Sequence, residues 1–173
     1  EQAETFAAIA EELGGGPFDW ASKEEDRQRL WQARHDAFWA TKSLMPGKDA
    51  FATDVCVPIS RLAECVTETQ NDLAANGLYG PIVGHVGDGN FHMGYLIDPN
   101  IPAERETAER LNHQLVERAL KLGGTCTGEH GVGLHKMEFL VSETGVGAVD
   151  MMRAIKRALD PLNIMNPGKI FTL

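Results

Sequence analysis

The segment GHVGDGNFH places two histidines on either side of a glycine-rich turn, and their spacing suits a shared metal ion. In a hairpin that pairs Val86 with Phe91, His85 and His92 lie opposite each other on one face, with Cβ atoms about 4.5–5.5 Å apart. Two imidazoles at that separation can bind one divalent cation, with zinc–nitrogen distances of about 2.0–2.1 Å. The alternative is a surface hairpin in which the two histidines have no common role.

A second glycine-rich segment, GEHGVG, places Glu129 and His130 side by side between Gly128 and Gly131. Glycines on both sides allow the backbone to approach a ligand closely. Glu129 offers an oxygen ligand that would complete a set of two histidines and one carboxylate, which leaves coordination positions open for a substrate. His130 would then face the same space as a base. The alternative is a solvated connector in which Glu129 caps a helix.

Arg34 is a candidate for binding a small anion. It follows Trp31 by three residues and precedes Phe38 by four on a predicted helix, so its guanidinium lies on or beside an apolar stripe. Arginine geometry suits bidentate capture of a carboxylate. The alternative is a side chain that extends along the helix and forms a local ion pair with Asp36 or Asp26.

The elements that must position these residues are predicted from hydrophobic spacing and turn signals. A first helix ends at Gly14, and a second one opens on the capping-box pattern Ser22-Lys23-Glu24-Glu25 and runs to about Thr41. Further helices are predicted from Ser60, as the cap, to Gly77 and over about 103–122, 135–142 and 146–159. Strands are predicted over 51–57, 78–86 and 91–97, and the tail 163–173 is predicted to be extended. This order favours an α+β fold with an antiparallel sheet flanked by helices.

The composition is that of an ordinary globular domain, with 173 residues, 43% of them hydrophobic and 24% charged. The net charge of −9, without a basic cluster, argues against a nucleic-acid partner. No apolar run approaches the roughly 18 residues that span a bilayer, and the start lacks a signal-peptide pattern, so we expect a soluble, intracellular chain. The three cysteines match neither a disulfide framework nor a zinc ribbon. Because the chain begins inside a helical pattern without Met, we expect a piece of a longer protein.

Five motifs together resemble the carboxyl-terminal part of FAD-linked D-2-hydroxy-acid dehydrogenases: LWQARHDAF, TDVCVPISRL, GHVGDGNFH, GTCTGEHGVGLHK and LDPLNIMNPGKIF. They occur in the family's order from about Trp31 to Phe171, and the resemblance is greatest to D-lactate dehydrogenases of the flavin type. The resemblance implies an amino-terminal domain of the vanillyl-alcohol oxidase type that binds FAD, and a cap that covers the flavin ring. Residues 1–173 would be a single cap domain, a partial ferredoxin-like fold without the FAD-binding domain and without its own first strands.

The resemblance also assigns roles to individual residues. It makes His85, His92 and Glu129 ligands of a divalent metal, zinc or manganese. His130 corresponds to the histidine that acts as the base, and Arg34 to the arginine that binds the substrate carboxylate.

Two further features of the resemblance concern the flavin and the size of the substrate. Asn166 and Lys169 of the NPGK motif would lie on the surface that approaches the flavin. Gly94, two residues after His92, offers no side chain to a larger polar substrate. We therefore expect a small acid rather than a dicarboxylate such as 2-hydroxyglutarate.

The resulting expectation is a domain that helps FAD to oxidise a D-2-hydroxy acid to a 2-oxo acid. Arg34 and the metal would hold the acid, and His130 would take the hydroxyl proton before hydride transfer to the flavin. The fragment alone is predicted to be inactive. Two alternatives remain: an autonomous His/His/Glu metallohydrolase, because such a site also activates water, and a noncatalytic metal-binding interaction module.

The resemblance further implies a location and partners. We expect the cytoplasm or the inner face of a membrane, and the mitochondrion in a eukaryote. The expected partners are a small 2-hydroxy acid, the FAD-binding domain of the same full-length chain and an electron acceptor that the sequence does not identify. A homodimer is left open.

Overall fold

The computed structural model describes residues 1–16 and 20–173, which form two compact units. The first unit, Glu1–Ala40, contains α1 (Gln2–Glu12) and most of α2 (Glu24–Ser43). The first turn of α2 carries three acidic residues and its last turn carries Lys42, a distribution of charge that complements the helix dipole. The second unit, Thr41–Leu173, contains the sheet and the remaining helices.

An antiparallel sheet in the second unit is organised around one strand, β4 (Asn90–Ile97). The other strands are β1 (Asp49–Ala52), β2 (Val55–Cys56) and β3 (Ile82–Val83). β1 and β2 pair with successive parts of β4 in one register, with Ala52 opposite Gly94 and Val55 opposite Phe91. β3 pairs with β4 so that Val83 lies opposite His92. All the pairings between these strands therefore involve β4.

Four helices accompany the sheet: α3 (Ile59–Ala75), α4 (Pro102–Lys121), α5 (Met137–Thr144) and α6 (Val146–Leu159). Alternate residues of β4 form the core with α3 and α4, because successive side chains of a strand point to opposite faces. Phe91 packs with residues such as Leu62 and Leu115, and Met93 packs with Leu111. Full burial of each such side chain stabilises the fold by about 1.5–3 kcal/mol. The alternation leaves His92 on the opposite face of β4.

The predicted α+β fold with an antiparallel sheet is confirmed, and several local predictions are wrong. The single strand predicted over 51–57 is divided at Thr53 and Asp54. Ser60 does not cap α3, which begins one residue earlier, after Pro58. The tail contains turns and bends rather than an extended run. In the described part of the chain, no helix is both long enough and apolar enough to cross a membrane.

Candidate active site

His92 is held in a defined orientation on β4, with its side chain only 15% exposed. Its Nδ1 lies 3.0 Å from the carbonyl oxygen of Thr53, and its Nε2 lies 3.1 Å from Oε1 of Glu129. Because a carbonyl oxygen can only accept a hydrogen bond, Nδ1 carries a proton and donates it to Thr53. Such a bond fixes both the tautomer and the ring orientation of a metal-binding histidine. Nε2 therefore either shares a cation with Glu129 or donates to it.

His85 reaches the same carboxylate by a different route from the predicted hairpin. The predicted pairing of His85 with His92 is wrong, because Val83 lies opposite His92 and a 3-10 turn, Val86–Asp88, follows His85. Gly89 closes this turn with a φ of +77°, and a Cβ there would lie 1.9 Å from the carbonyl oxygen of Val57. The 3-10 turn and the close approach of Gly89 to Val57 therefore place His85 outside the ladder between β3 and β4.

Glu129 is the point where the predicted ligands meet. Its Oε1 lies 3.1 Å from Nε2 of His92, and its Oε2 lies 3.6 Å from Nε2 of His85. Each carboxylate oxygen therefore faces one imidazole nitrogen, although the two histidines are not opposite each other in the sheet. The glutamate side chain is 46% exposed, so the cluster of His85, His92 and Glu129 is accessible from solvent.

His130 lies beside this cluster, as the sequence predicted. Its ring stacks on that of His92, with centroids 5.0 Å apart and planes inclined by 12°. Its Nε2 is 3.9 Å from Oε1 of Glu129, and its side chain is 56% exposed. An exposed imidazole next to two candidate metal ligands is a candidate proton acceptor.

Asp54, which the sequence analysis did not single out, organises the loop that carries Glu129 and His130. Its carboxylate is 1% exposed and accepts hydrogen bonds from three consecutive backbone N–H groups, those of Gly128, Glu129 and His130, at 2.9–3.1 Å. The hydroxyl of Thr127 donates to the same carboxylate. A signal for this role was present, since Asp54 is the single charged residue in the mostly apolar run FATDVCVP.

The electrostatics of Asp54 favour its ionised form. Burial alone raises the pKa of this carboxyl, but the N–H group of His130, the charge of Lys136 and the hydroxyl of Thr127 outweigh burial. The resulting pKa lies well below the usual range. Nζ of Lys136 is 3.3 Å from Oδ2 of Asp54, and its side chain is 12% exposed. Asp54 and Lys136 therefore form a largely buried ion pair beneath the loop.

The cluster offers nitrogen and oxygen donor atoms that a divalent cation could use. Among the described residues, Asp54, His92 and His130 offer ligand atoms that all lie within 4.8 Å of one another. The oxygens of Asp54 already accept several hydrogen bonds, which makes that carboxylate a poor ligand. Glu129 has no such constraint, and it faces a nitrogen of His85 and of His92. Two imidazoles and one carboxylate are a donor set that fits zinc or manganese.

The sequence pattern of the family described as "FAD linked oxidases, C-terminal domain" matches residues 1–170. The chain belongs to this family. The match includes the whole cluster around Glu129 as well as Arg34 on α2. Its candidate side chains come from different elements: Arg34 lies within α2, His92 within β4, and Glu129 in the loop between α4 and α5.

Named relatives of this C-terminal domain agree with the family. The probable mitochondrial D-lactate dehydrogenase of Danio rerio is 50% identical over 173 residues, which cover 100% of this chain and 35% of that protein. The mitochondrial D-lactate dehydrogenase (cytochrome) of Arabidopsis thaliana is 45% identical over 170 residues, covering 98% of this chain and 30% of that protein. The chain thus spans about a third of the length of these relatives.

A solved structure shares the fold of this FAD-linked oxidase C-terminal domain. The 4-ethylphenol oxidase from Gulosibacter chungangensis, in its isoeugenol complex, superposes with a TM-score of 0.59. The superposition covers 88% of this chain and 32% of the oxidase, at 22% sequence identity. At that identity the comparison shows a common fold and carries no statement about the substrate.

The tail of the domain is attached to the loop that follows His130. The N–H group of Ile170 donates to the carbonyl oxygen of Gly133 at 2.7 Å. Asp160 shapes the start of the tail by accepting hydrogen bonds from backbone N–H groups, those of Ile164 and Met165, at 3.0 and 2.9 Å. Asn166 and Lys169 lie in this turned tail and are exposed.

Arg34 lies on α2 in the first unit, and its side chain is exposed. Its assignment to the substrate carboxylate stays a prediction.

We expect the fold to lose stability in acid because of Asp54 and Asp160. The pKa of Asp160 is lowered to about 2, chiefly by the side chain of Lys156 and the N–H group of Met165. A carboxyl with a lower pKa in the folded than in the unfolded state stabilises the fold while it is ionised. The free energy of unfolding should therefore be retained above the ordinary aspartate pKa of 3.8 and fall as the pH drops from there through about 2.

Urea unfolding at stepped pH values measures this loss. The Asp54→Asn variant, which has no titrating group at this position, should show a shallower fall than the parent protein. An equally steep fall in both proteins would contradict the contribution of Asp54.

Proposed function

We propose that this chain is the substrate- and metal-binding part of an FAD-dependent D-2-hydroxy-acid dehydrogenase that acts on D-lactate or a similarly small acid. The observation that carries the proposal is the meeting of His85 and His92 at the two oxygens of Glu129, with His130 stacked alongside. The names of the Danio rerio and Arabidopsis thaliana relatives support the choice of D-lactate.

His85, His92 and Glu129 are the residues that would hold a divalent metal. When bound, zinc or manganese lowers the pKa of a coordinated hydroxyl group and stabilises the negative charge that forms on its oxygen. The bond from Nδ1 of His92 to Thr53 keeps Nε2 of that ring directed at the ligand space. The flavin, bound by a domain outside this chain, supplies the two-electron oxidation.

His130 is the group that would remove the hydroxyl proton of the substrate. Its ring is exposed on one side and lies against His92 on the other, so Nε2 can reach a ligand that sits over the cluster. Transfer of the proton to Nε2 leaves the substrate oxygen negatively charged, which favours departure of hydride from C2. Arg34 would bind the carboxylate of the acid and so fix which face of C2 is presented.

The lack of a side chain at Gly94, near His92, favours a small substrate. Gly94 shares the face of β4 with His92, since the two residues are separated by one position of the strand. A Cβ at Gly94 would lie 3.5 Å from Cγ2 of Thr41, an ordinary contact distance. Without a polar side chain here, the chain offers a second substrate carboxylate no partner at this position, which favours a monocarboxylic acid.

The partners and location follow from the same proposal. Asn166 and Lys169, on the tail attached to Gly133, are the residues of this chain that would face the flavin. The relatives from Danio rerio and Arabidopsis thaliana are named mitochondrial, so we expect the same compartment if this chain is from a eukaryote. A second copy of the chain and an electron acceptor are further partners within the proposal.

Steady-state dye reduction by the full-length, flavin-containing protein tests the proposed function. D-lactate should be oxidised faster than L-lactate, and D-2-hydroxyglutarate should be a poor substrate. Hydrolysis of esters or amides by the metal-loaded protein, without reduction of the dye by any D-2-hydroxy acid, would favour a metallohydrolase instead.

The Arg34→Ala variant is expected to raise the KM for D-lactate by about 10- to 100-fold. A hydrogen bond to a charged group contributes about 1.5–3 kcal/mol, which corresponds to that change in affinity. Arg157→Ala on α6 serves as a surface control with the same loss of charge. If the two variants raise KM equally, the role of Arg34 in binding the carboxylate is wrong.

A further inference from the structure

We infer that Asp54 is a positioning residue that sets Glu129 and His130 against His92, and so assembles the proposed ligand and base from two separate parts of the chain. The inference rests on the proposed function, which assigns Glu129 as a metal ligand and His130 as the base. Asp54 is 1% exposed, so it does not itself reach a substrate. Its effect on the reaction must therefore pass through the residues that it holds.

Four groups of the loop converge on this carboxylate. Oδ2 of Asp54 accepts from the N–H groups of Gly128, Glu129 and His130 at 2.9, 3.1 and 3.0 Å. The hydroxyl of Thr127 donates to the same oxygen at 2.9 Å. Successive N–H groups that point into one concavity form an anion-binding nest, and here the anion belongs to the protein. The loop can therefore keep this shape only around a negative charge at that position.

Asp54 is also linked to His92 on β4. Asp54 lies in the gap between β1 and β2. The register that pairs Val55 with Phe91 and Ala52 with Gly94 places it next to His92. Oδ1 of Asp54 is 3.5 Å from Nδ1 of His92, and Thr53 accepts the hydrogen bond from that nitrogen. One carboxylate thus contacts the backbone of Glu129 and His130 and the ring of His92.

The surrounding residues hold Asp54 itself in place. Nδ2 of Asn90 donates to Oδ1 of Asp54 at 2.9 Å and to the carbonyl oxygen of Val55 at 3.0 Å. Nζ of Lys136 donates to both the carbonyl oxygen and the carboxylate of Asp54. A Cβ on Gly128 would lie 1.8 Å from Nδ2 of Asn90 and 2.6 Å from Oδ1 of Asp54. The arrangement therefore leaves the loop no room to shift towards β4.

Displacement of Glu129 and His130 after loss of Asp54 would slow the reaction. A misplacement of about 1 Å in a reacting group can lower a rate by about 100-fold. Loss of a residue that orients metal ligands typically lowers metal affinity or activity by about 10- to 100-fold. Asp54→Asn keeps the size of the side chain but replaces one acceptor oxygen by an NH₂ group. The loop N–H groups then lose their common acceptor, and Lys136 loses its counter-charge.

The test measures hydrogen exchange and kinetics in the full-length protein. In the parent protein, the amides of residues 128–130 should exchange slowly. In Asp54→Asn they should exchange at least about tenfold faster, as expected when a local hydrogen-bonded unit opens. The variant should also show a kcat for D-lactate reduced about 10- to 100-fold with little change in KM, and a weaker affinity for added Zn²⁺. Asp150→Asn, at an exposed residue of α6, is the matched control.

A second variant keeps the inference testable if Asp54→Asn fails to fold. Gly128→Ala removes no functional group but forces the loop away from Asn90 and Asp54. It should accelerate exchange of the same amides and lower kcat. Gly147→Ala is its control, because a Cβ at Gly147 meets no atom within 4 Å.

The outcomes separate this inference from the proposed function. Slow exchange at residues 128–130 in both variants, or faster exchange with a kcat and Zn²⁺ affinity like those of the parent, would overturn the role of Asp54. Those results would leave oxidation of D-lactate by the parent protein unaffected. If the parent oxidised no D-2-hydroxy acid, faster exchange with weaker Zn²⁺ binding in the variants would still support Asp54 as the residue that positions the cluster.

Discussion

Replacement of His130 by alanine in the full-length protein is expected to lower kcat for D-lactate by roughly 10²- to 10⁴-fold, the loss typical of removing a general base. The methyl group of alanine cannot accept the hydroxyl proton, whereas the stacked ring of His130 presents Nε2 at the cluster. The backbone N–H group of residue 130 remains available to Asp54, so the loop should keep its position. The KM for D-lactate should change much less than kcat, since His130 is not assigned to the carboxylate.

His113→Ala is the matched control for this variant. His113 lies on α4, its side chain is 47% exposed, and its ring contacts Phe139 rather than the cluster. Metal content should be measured in both variants. Loss of metal from His130→Ala would make His130 a ligand, and a kcat close to that of the parent with intact metal would show that another group removes the proton.

Replacement of His92 by alanine is expected to abolish metal binding and to lower kcat/KM for D-lactate by at least about 10³-fold. The size follows from the several kcal/mol of charge stabilisation that a bound metal supplies, since about 1.4 kcal/mol corresponds to a factor of ten. His92 is the less exposed of the two candidate histidines, and Thr53 orients its ring. His85→Ala should have a smaller effect, because its Nε2 lies farther from Glu129 and its side chain is 39% exposed.

Metal analysis of the purified proteins checks this prediction independently of activity. The parent should contain about one zinc or manganese ion per chain when loaded, His85→Ala less, and His92→Ala almost none. His113→Ala again serves as the control. Equal metal content in all four proteins would contradict the proposed ligand set.

The sequence was sufficient to predict the type of fold and to single out His85, His92, Glu129 and His130 as candidates, because both steps depended on local patterns. The alternation in FHMGYLI correctly separates His92 from its apolar neighbours Phe91 and Met93. The glycines around Glu129 and His130 correctly indicated a loop rather than a regular element. These features are properties of short segments, so they can be recognised without knowing the tertiary structure.

The predictions that failed depend on contacts between distant segments. The pairing of His85 with His92 was wrong because the turn is set by the approach of Gly89 to Val57, which no local pattern records. Asp54 was missed because the loop N–H groups that donate to it lie more than 70 residues away in sequence. The tail turns because Asp160 accepts hydrogen bonds from later backbone N–H groups, a contact that its sequence did not suggest.

Rapid anaerobic mixing of the full-length protein with D-lactate tests the central claim most directly, because it observes reduction of the flavin without any electron acceptor. We predict that D-lactate bleaches the visible flavin absorbance, that L-lactate does so far more slowly, and that His92→Ala and His130→Ala each slow the bleaching with D-lactate. A flavin that stays oxidised in the parent protein with D-lactate and with other small D-2-hydroxy acids would contradict it.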